Sequence, residues 1–360
     1  MAYNFFLHGA IRKVAISIKA NFLRRWLWLL IAMVVLTLPL TTLAQSGDNP
    51  RPAPVILTDQ QHKYPLGLHL ELLKDPGGQL TIDDVSAPAY NDQFTPSQAD
   101  TPNFGYVTGA IWVRLRVRNQ ANPATTWRLG VQEARLGYVD LYTPAPDGTG
   151  FTRQQAGRFR PSTVQDVPYR YGVFNLSLPP DQIQTVYLRV QSASPVSLPL
   201  TLWSLDAFVY HTQTDLLIQG LFYGAILVMM GHSFFLFASL RDRSYLYLTL
   251  FIASFGFGLA FGDGLVHQYL WTAAWPDWYG LEIAGMVAAI SMLLFAMDFL
   301  DTKTQTPWLH TIMLALLPTA LFVLILRFFW ESNRLLNLTV LVITLISITA
   351  GYLAWWRGYR

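Results

Sequence analysis

Side chains that could carry out a reaction are few and scattered along this sequence. His62, His69 and His211 have no spacing that would set two of them on one face beside a carboxylate. Asp83-Asp84 is a lone acidic pair after an expected strand, and such pairs are mostly solvated turns. No Gly-x-Ser-x-Gly, His-Glu-x-x-His or glycine-rich phosphate loop is present. The sequence contains no cysteine, which excludes thiol catalysis, disulfides, cysteine-ligated zinc, iron–sulfur clusters, covalent haem and a lipoprotein anchor. No catalytic residue, metal or cofactor is therefore expected, and the chain reads as a non-enzyme.

Binding chemistry has better support. Tyr138 and Tyr142 flank Asp140 on one face of an expected strand, with Val139 and Leu141 on the other. Aromatic rings can stack on the apolar C–H face of a sugar, and arginines can donate hydrogen bonds to its hydroxyl or carboxylate groups. Trp112, on the same expected face as Arg114 and Arg116, is a second candidate set. For the other aromatics of this region, among them Phe104, Tyr106, Trp127, Tyr169, Tyr171 and Trp203, core filling is the plainer account.

These residues need a scaffold, and alternation of period two supplies it. In Ile111 to Arg118 the odd positions are apolar, and the even ones are Trp112 and three arginines. Val186, Leu188 and Val190 alternate with polar neighbours, as do Phe174, Leu176 and Leu178, and Leu198, Leu200 and Leu202. Turn signals at Asp75-Pro76-Gly77-Gly78, Asn119–Pro123, Pro144–Gly150 and Pro179-Pro180-Asp181 separate the runs. Short strands at this spacing predict an all-β antiparallel sandwich.

Across all 360 residues, 52% are hydrophobic and only 13% charged, and the mean hydropathy is +0.30, so this is a membrane protein. The net charge of +3 is too small and too dispersed for nucleic-acid binding. Residues 45–213 hold 13 Lys/Arg and 14 Asp/Glu, whereas apolar runs dominate after Leu216, which sets a domain boundary near Asp215. Residues 1–44 have a basic n-region, an apolar run from Trp26 to Leu40 and small residues before Gln45, the order of a signal peptide, cleaved or kept as an anchor. Either way residues 45–213 are exported, in a bacterium to the periplasm, and 214–360 remain in the inner membrane.

Five runs are long enough to cross: Leu216–Leu240, Tyr245–Gly264, Leu281–Leu300, Leu309–Phe329 and Leu335–Trp356. With the first running inward, Arg241, Arg243, Lys303, Arg357 and Arg360 lie inside, and only Arg327 and Arg334 outside, in keeping with the positive-inside rule. Trp271, Trp275, Trp278, Trp330, Trp355 and Trp356 fall at span ends, where such rings anchor. Gly220 and Gly224, extended by Gly231, have the spacing of a helix-packing seam. His232 is mid-span, suited to a hydrogen bond across the bundle or to titration. Glu282 and Asp298 lie near opposite ends of the third span, where interfacial snorkelling accounts for them.

Leu221-Phe222-Tyr223-Gly224, Phe234–Leu240 and Arg241-Asp242-Arg243-Ser244-Tyr245-Leu246-Tyr247 together resemble the bacterial seven-transmembrane receptors with diverse intracellular signalling modules. The exported part resembles that family's type 2 extracellular domain in Phe104-Gly105-Tyr106, Ile111–Leu115, Asp140-Leu141-Tyr142, Leu188–Ser192 and Leu198–Trp203. The resemblance runs from about Leu68 onward. It implies a jelly-roll-like sandwich similar to carbohydrate-binding modules, joined to helices that signal to a cytoplasmic kinase, cyclase or phosphatase. Where the family often has an asparagine this chain has His232, so no family role is carried to it. The chain ends at Arg360 after five spans, so the expected effector lies in a continuation or in a separate partner.

The leading expectation is a receptor whose exported sandwich binds a ligand, a saccharide among the candidates, with membrane lipid as its constant partner. The alternative is a non-enzymatic adaptor whose sandwich docks another envelope protein. A transporter ranks lower, since no internal repeat is evident.

Overall fold

The computed structural model describes residues 51–121, 126–270, 279–327 and 334–356, with the side chains of Arg327 and Arg334 left out. The expected signal peptide (1–44), Trp271, Trp275, Trp278, Trp330, Arg357 and Arg360 lie outside the described residues.

The first half is built of strands. In chain order they are β1 (Val55–Leu57), β2 (Lys63–Pro65), β3 (Leu70–Asp75), β4 (Thr95–Pro96), β5 (Asn103–Gly105), β6 (Ala110–Asn119) and β7 (Trp127–Val131). They continue as β8 (Tyr138–Pro144), β9 (Phe151–Ala156), β10 (Gly172–Leu176), β11 (Ile183–Gln191), β12 (Val196–Ser197) and β13 (Leu200–Ser204). One sheet has the order β4-β3-β6-β11-β8-β9, with β1 paired in parallel to the end of β6; a second has the order β10-β7-β13-β2. β5 and β12 form a separate two-stranded ribbon.

The two main sheets face each other across one core. Ile111, Val113, Leu115 and Val117 of β6, with Val139 and Leu141 of β8, meet Leu129, Val131, Phe174, Leu176, Leu200 and Leu202 of the second sheet. The alternation read from the sequence is thus the inward face of a β-sandwich, as expected. Each of these side chains contributes about 1.5–3 kcal/mol by leaving water.

The outer face of the first sheet is not open along its whole width. A short helix, α1 (Ile82–Ser86), and the segment after it lie over the even positions of β6. Leu73, Val85, Phe94, Trp112 and Tyr187 form a second buried cluster there. Thr81 and Asp84 start α1 with a reciprocal capping box, so the acidic pair is a helix start rather than a free turn.

Five helices are long and apolar enough to cross a membrane. They are α2 (Leu205–Leu240), α3 (Arg243–Gly262), α4 (Gly280–Phe299), α6 (Pro307–Arg327) and α7 (Arg334–Trp356); a single turn, α5 (Thr302–Gln305), precedes α6. Met286, Ala289 and Leu293 of α4 pack with Met313 and Ala320 of α6 and Ile343 of α7. The Arg241-Asp242 pair stops one helix and starts the next. Arg241 takes the left-handed conformation at φ +56°, and Asp242 accepts from the Ser244 amide.

The first helix begins at Leu205, eleven residues before the apolar run does, with Ser204 as its N-cap. At 1.5 Å per residue its length is about 54 Å, nearly twice a hydrocarbon core of about 30 Å. The surplus is the part that touches the sandwich.

Candidate functional site

Two places on the described chain combine polar chemistry with a position that matters: the junction of sandwich and helices, and the outer face of β8.

At the junction, α2 starts from the end of β13 and packs against the outer side of the second sheet. Trp203, Tyr169, Tyr171, Val173 and Phe208 form a buried cluster. Ring centroids lie 5.9 Å apart for Trp203–Phe208, 5.5 Å for Tyr169–Phe208 and 4.6 Å for Tyr169–Tyr171. Trp203 also stacks on His211 at 5.2 Å, and the Tyr171 hydroxyl lies 3.3 Å from His211 Nε2. Gly130 makes room, for a Cβ there would sit 2.5 Å from the Trp203 ring.

Where the apolar run begins, the contacts become polar. Asp215 accepts from Arg170 Nε (2.8 Å), Arg170 Nη2 (3.0 Å) and the Tyr169 hydroxyl (2.7 Å). Arg170 Nη1 also donates to the Asp263 carbonyl at the end of α3 (3.3 Å). The Asp263 carboxylate in turn accepts from Tyr223 of α2 at 2.6 Å. Gly264 passes directly under the loop at φ +80°, where a Cβ would fall 2.1 Å from the Arg170 carbonyl. One loop of the sandwich therefore holds both α2, at the start of its apolar run, and the end of α3. Burial, then the bond to Asp215, pushes the Tyr169 hydroxyl up to about 12, so at ordinary pH it stays a donor. Burial likewise raises the Tyr171 hydroxyl.

On β8, Asp140 is buried, 1% exposed, between Arg153 (2.9 Å) and Arg160 (2.6 Å). Tyr138 and Tyr142 are half-buried on either side. Arg160 lies 5.3 Å from the Tyr138 ring centre and Arg153 lies 5.9 Å from that of Tyr142. Burial raises the Tyr142 hydroxyl, with Arg153 opposing. Val139 and Leu141 enter the core, so Tyr138, Asp140 and Tyr142 share the other face of the sheet, where Arg153 and Arg160 cover the Asp140 carboxylate.

The second expected set, Trp112 with Arg114, is buried rather than exposed. Trp112 is fully buried, 5.6 Å from Tyr142 in the covered cluster. Arg114 forks onto Glu71 with two 2.9 Å bonds, donates to Asn91 at 2.7 Å and lies 4.2 Å from the Phe94 ring centre. With side chains 5% and 2% exposed, the Arg114–Glu71 pair is internal structure, not a surface for ligand.

In the helices, a Cβ added at Gly220, Gly224 or Gly231 would meet nothing within 4 Å, and His232 is exposed. The close approach between α2 and α3 is instead at Gly256, where a Cβ would lie 2.8 Å from Ile226 Cγ2. Asp298 accepts from the Ser244 hydroxyl at 2.8 Å and so ties α4 to α3 rather than only snorkelling. From sequence, Tyr169 counts only as a core-filling aromatic and Tyr223 only as part of the Leu221–Gly224 motif, and Arg170 and Asp263 are not candidates; the remaining signals are a Tyr-Arg-Tyr run in a loop and an aspartate closing a span. Among the described residues no group of three His, Asp or Glu could hold a metal ion.

A family model described as 7TMR-DISM extracellular 2 matches residues 67–204, and one described as 7TM diverse intracellular signalling matches residues 215–360. The curated proteins give no match. A solved structure, from a study of the promiscuous specificity of carbohydrate-binding modules of the β-sandwich superfamily, is 17% identical with a TM-score of 0.16. The match covers 29% of this chain and 50% of that one, so the present chain spans half the length of that relative. The two sheets described above, rather than this likeness, establish the sandwich. The first match ends at Ser204, the residue that caps α2, and the second begins at Asp215; the chain belongs to the seven-transmembrane receptors with diverse intracellular signalling, as a multi-pass membrane protein with an extracellular domain of the family's second type.

Proposed function

We propose that this chain is the sensing and transmitting part of a bacterial inner-membrane receptor, with residues 45–213 in the periplasm and no catalytic activity of its own. A saccharide binds the outer face of the first sheet beside Tyr138 and Tyr142. The resulting shift reaches the helices through the Arg170–Asp215 junction, and a kinase, cyclase or phosphatase reads it at the cytoplasmic helix ends. A ligand moves such an equilibrium only by binding two arrangements with different affinity.

The observation that carries this reading is the single helix α2, which packs on the sandwich by its first turns and is itself the first candidate span. A movement of the sandwich therefore has no flexible linker in which to dissipate.

The full chain in nanodiscs, melted in the presence of a panel of neutral and acidic oligosaccharides, tests it. At least one saccharide should raise Tm, and Tyr138→Ala with Tyr142→Ala should abolish that rise while leaving the ligand-free Tm within a few degrees. No shift with any saccharide, or an unchanged shift in the double variant, contradicts the proposal.

A further inference from the structure

The part of the first sheet's outer face that borders the covered cluster at Tyr142 has an unbalanced charge. β8 pairs with β11 and β9 so that Asp140 lies opposite Arg189 on one side and Gln155 on the other, while Tyr142 lies opposite Arg153. Val139 and Leu141 point into the core, so these residues share the outward face. The charged groups that bear most on the Tyr142 hydroxyl are Arg153, Asp140, Arg189 and Arg160. Three guanidinium groups against one carboxylate leave a local charge of +2.

The three arginines are not equally available. Arg160 has a side chain 13% exposed, and its Nη1 is shared among Asp140 and the Val139 and Ala156 carbonyls. Arg189 donates to the Gly78 carbonyl and to Gln191. Arg153 is different: its side chain is 46% exposed, and among the described residues its one hydrogen bond runs from Nη2 to Asp140. Nη2 keeps a second N–H, which with Nε or Nη1 makes one unused two-donor edge beside a half-buried tyrosine, while Asp140 holds the guanidinium in place. Such an edge matches a carboxylate geometrically, and a neutral sugar uses only part of it.

We propose that this face takes a carboxylate-bearing sugar, a uronate, with its ring against Tyr142 and its carboxylate on Arg153. This rests on the reading that the face binds saccharide, and adds the charge class. Asp140 is then a positioning residue that orients Arg153, and its own charge is offset by the pair with Arg160.

Titration calorimetry of the full chain in nanodiscs with trigalacturonate and with its fully methyl-esterified form compares one ring system with and without charge. The acid should bind on the order of tenfold more tightly, a typical worth for one charge-assisted contact, and its affinity should fall with added salt. Arg153→Gln should reduce the acid to the affinity of the ester and leave the ester unchanged, while Arg160 still neutralises Asp140. Equal binding of acid and ester, or an acid affinity unaffected by Arg153→Gln, overturns the charge assignment and leaves the saccharide reading intact. If neither probe binds, maltotriose decides: Tyr142-dependent binding of it sinks the uronate alone, and no binding of any of the three sinks both.

Discussion

Replacing Asp215 with asparagine should loosen the junction without unfolding the sandwich. The carboxylate accepts three hydrogen bonds, two from Arg170 and one from Tyr169, and the ion-pair side chains are 17% and 20% exposed. Breaking a fully buried pair costs about 3–5 kcal/mol, and an exposed one about 0–1 kcal/mol. One-fifth exposure and the acceptor oxygen that asparagine keeps bring the expected loss to about 2 kcal/mol. Since 1.4 kcal/mol is tenfold, local opening should become roughly thirtyfold more frequent. Hydrogen exchange of the full chain in nanodiscs reads this directly. Amides of residues 166–171 and 207–215 should exchange about thirtyfold faster, and those of β6 and β11 should be unchanged, because the cluster around Trp203 and Phe208 remains. An exchange rate within twofold of wild type would refute the reasoning. So would strict additivity of Asp215→Asn with Arg170→Gln, where a coupling of about 2 kcal/mol is expected.

Three further outcomes follow from the same contacts. Arg114→Met leaves the buried Glu71 carboxylate with only Arg116, 3.9 Å away, and should cost about 3 kcal/mol in thermal or chemical unfolding, whereas Arg114→Met with Glu71→Leu should recover most of it. Gly256→Ala drives a methyl to 2.8 Å from Ile226 Cγ2 and should destabilise by about 1–3 kcal/mol, relieved by Ile226→Ala, while Gly224→Ala should be close to neutral in the same melts. The Tyr169 hydroxyl has a folded pKa of about 12, above its ordinary value of 10.0. Its contribution is therefore complete below about pH 10 and lost as pH rises toward 12. Tyr169→Phe should remove that alkaline loss from exchange profiles of the junction.

Much of this architecture was legible in the sequence, and the rest depended on contacts between distant residues. Alternation at Ile111–Arg118 located a strand and its core face because period-two burial is a local property. What covers the other face is not local. Trp112 is hidden by α1 and Phe94, and the partner of Arg114 lies 43 residues away at Glu71. Likewise the outward direction of Asp140 followed from its neighbours, whereas Arg153 and Arg160 come from a following strand and loop. Hydropathy located the spans but began the first at Leu216, because the preceding turns are polar enough to look soluble. Ser204, a capping residue directly before Leu205, was the available sign of the earlier start. Glycine spacing suggested a seam at Gly220 and Gly224, but spacing alone does not say which helix face meets a neighbour, and the contact is at Gly256.

Transmission through α2 is the claim on which the function rests, and a distance between helix ends far from the sandwich tests it most directly. The absence of native cysteine permits spin labels at Leu240→Cys and Lys303→Cys alone. In nanodiscs, with whichever oligosaccharide raises Tm, the distance distribution should shift on binding, and Asp215→Asn should suppress the shift while binding persists. Identical distributions with and without bound saccharide would contradict the account.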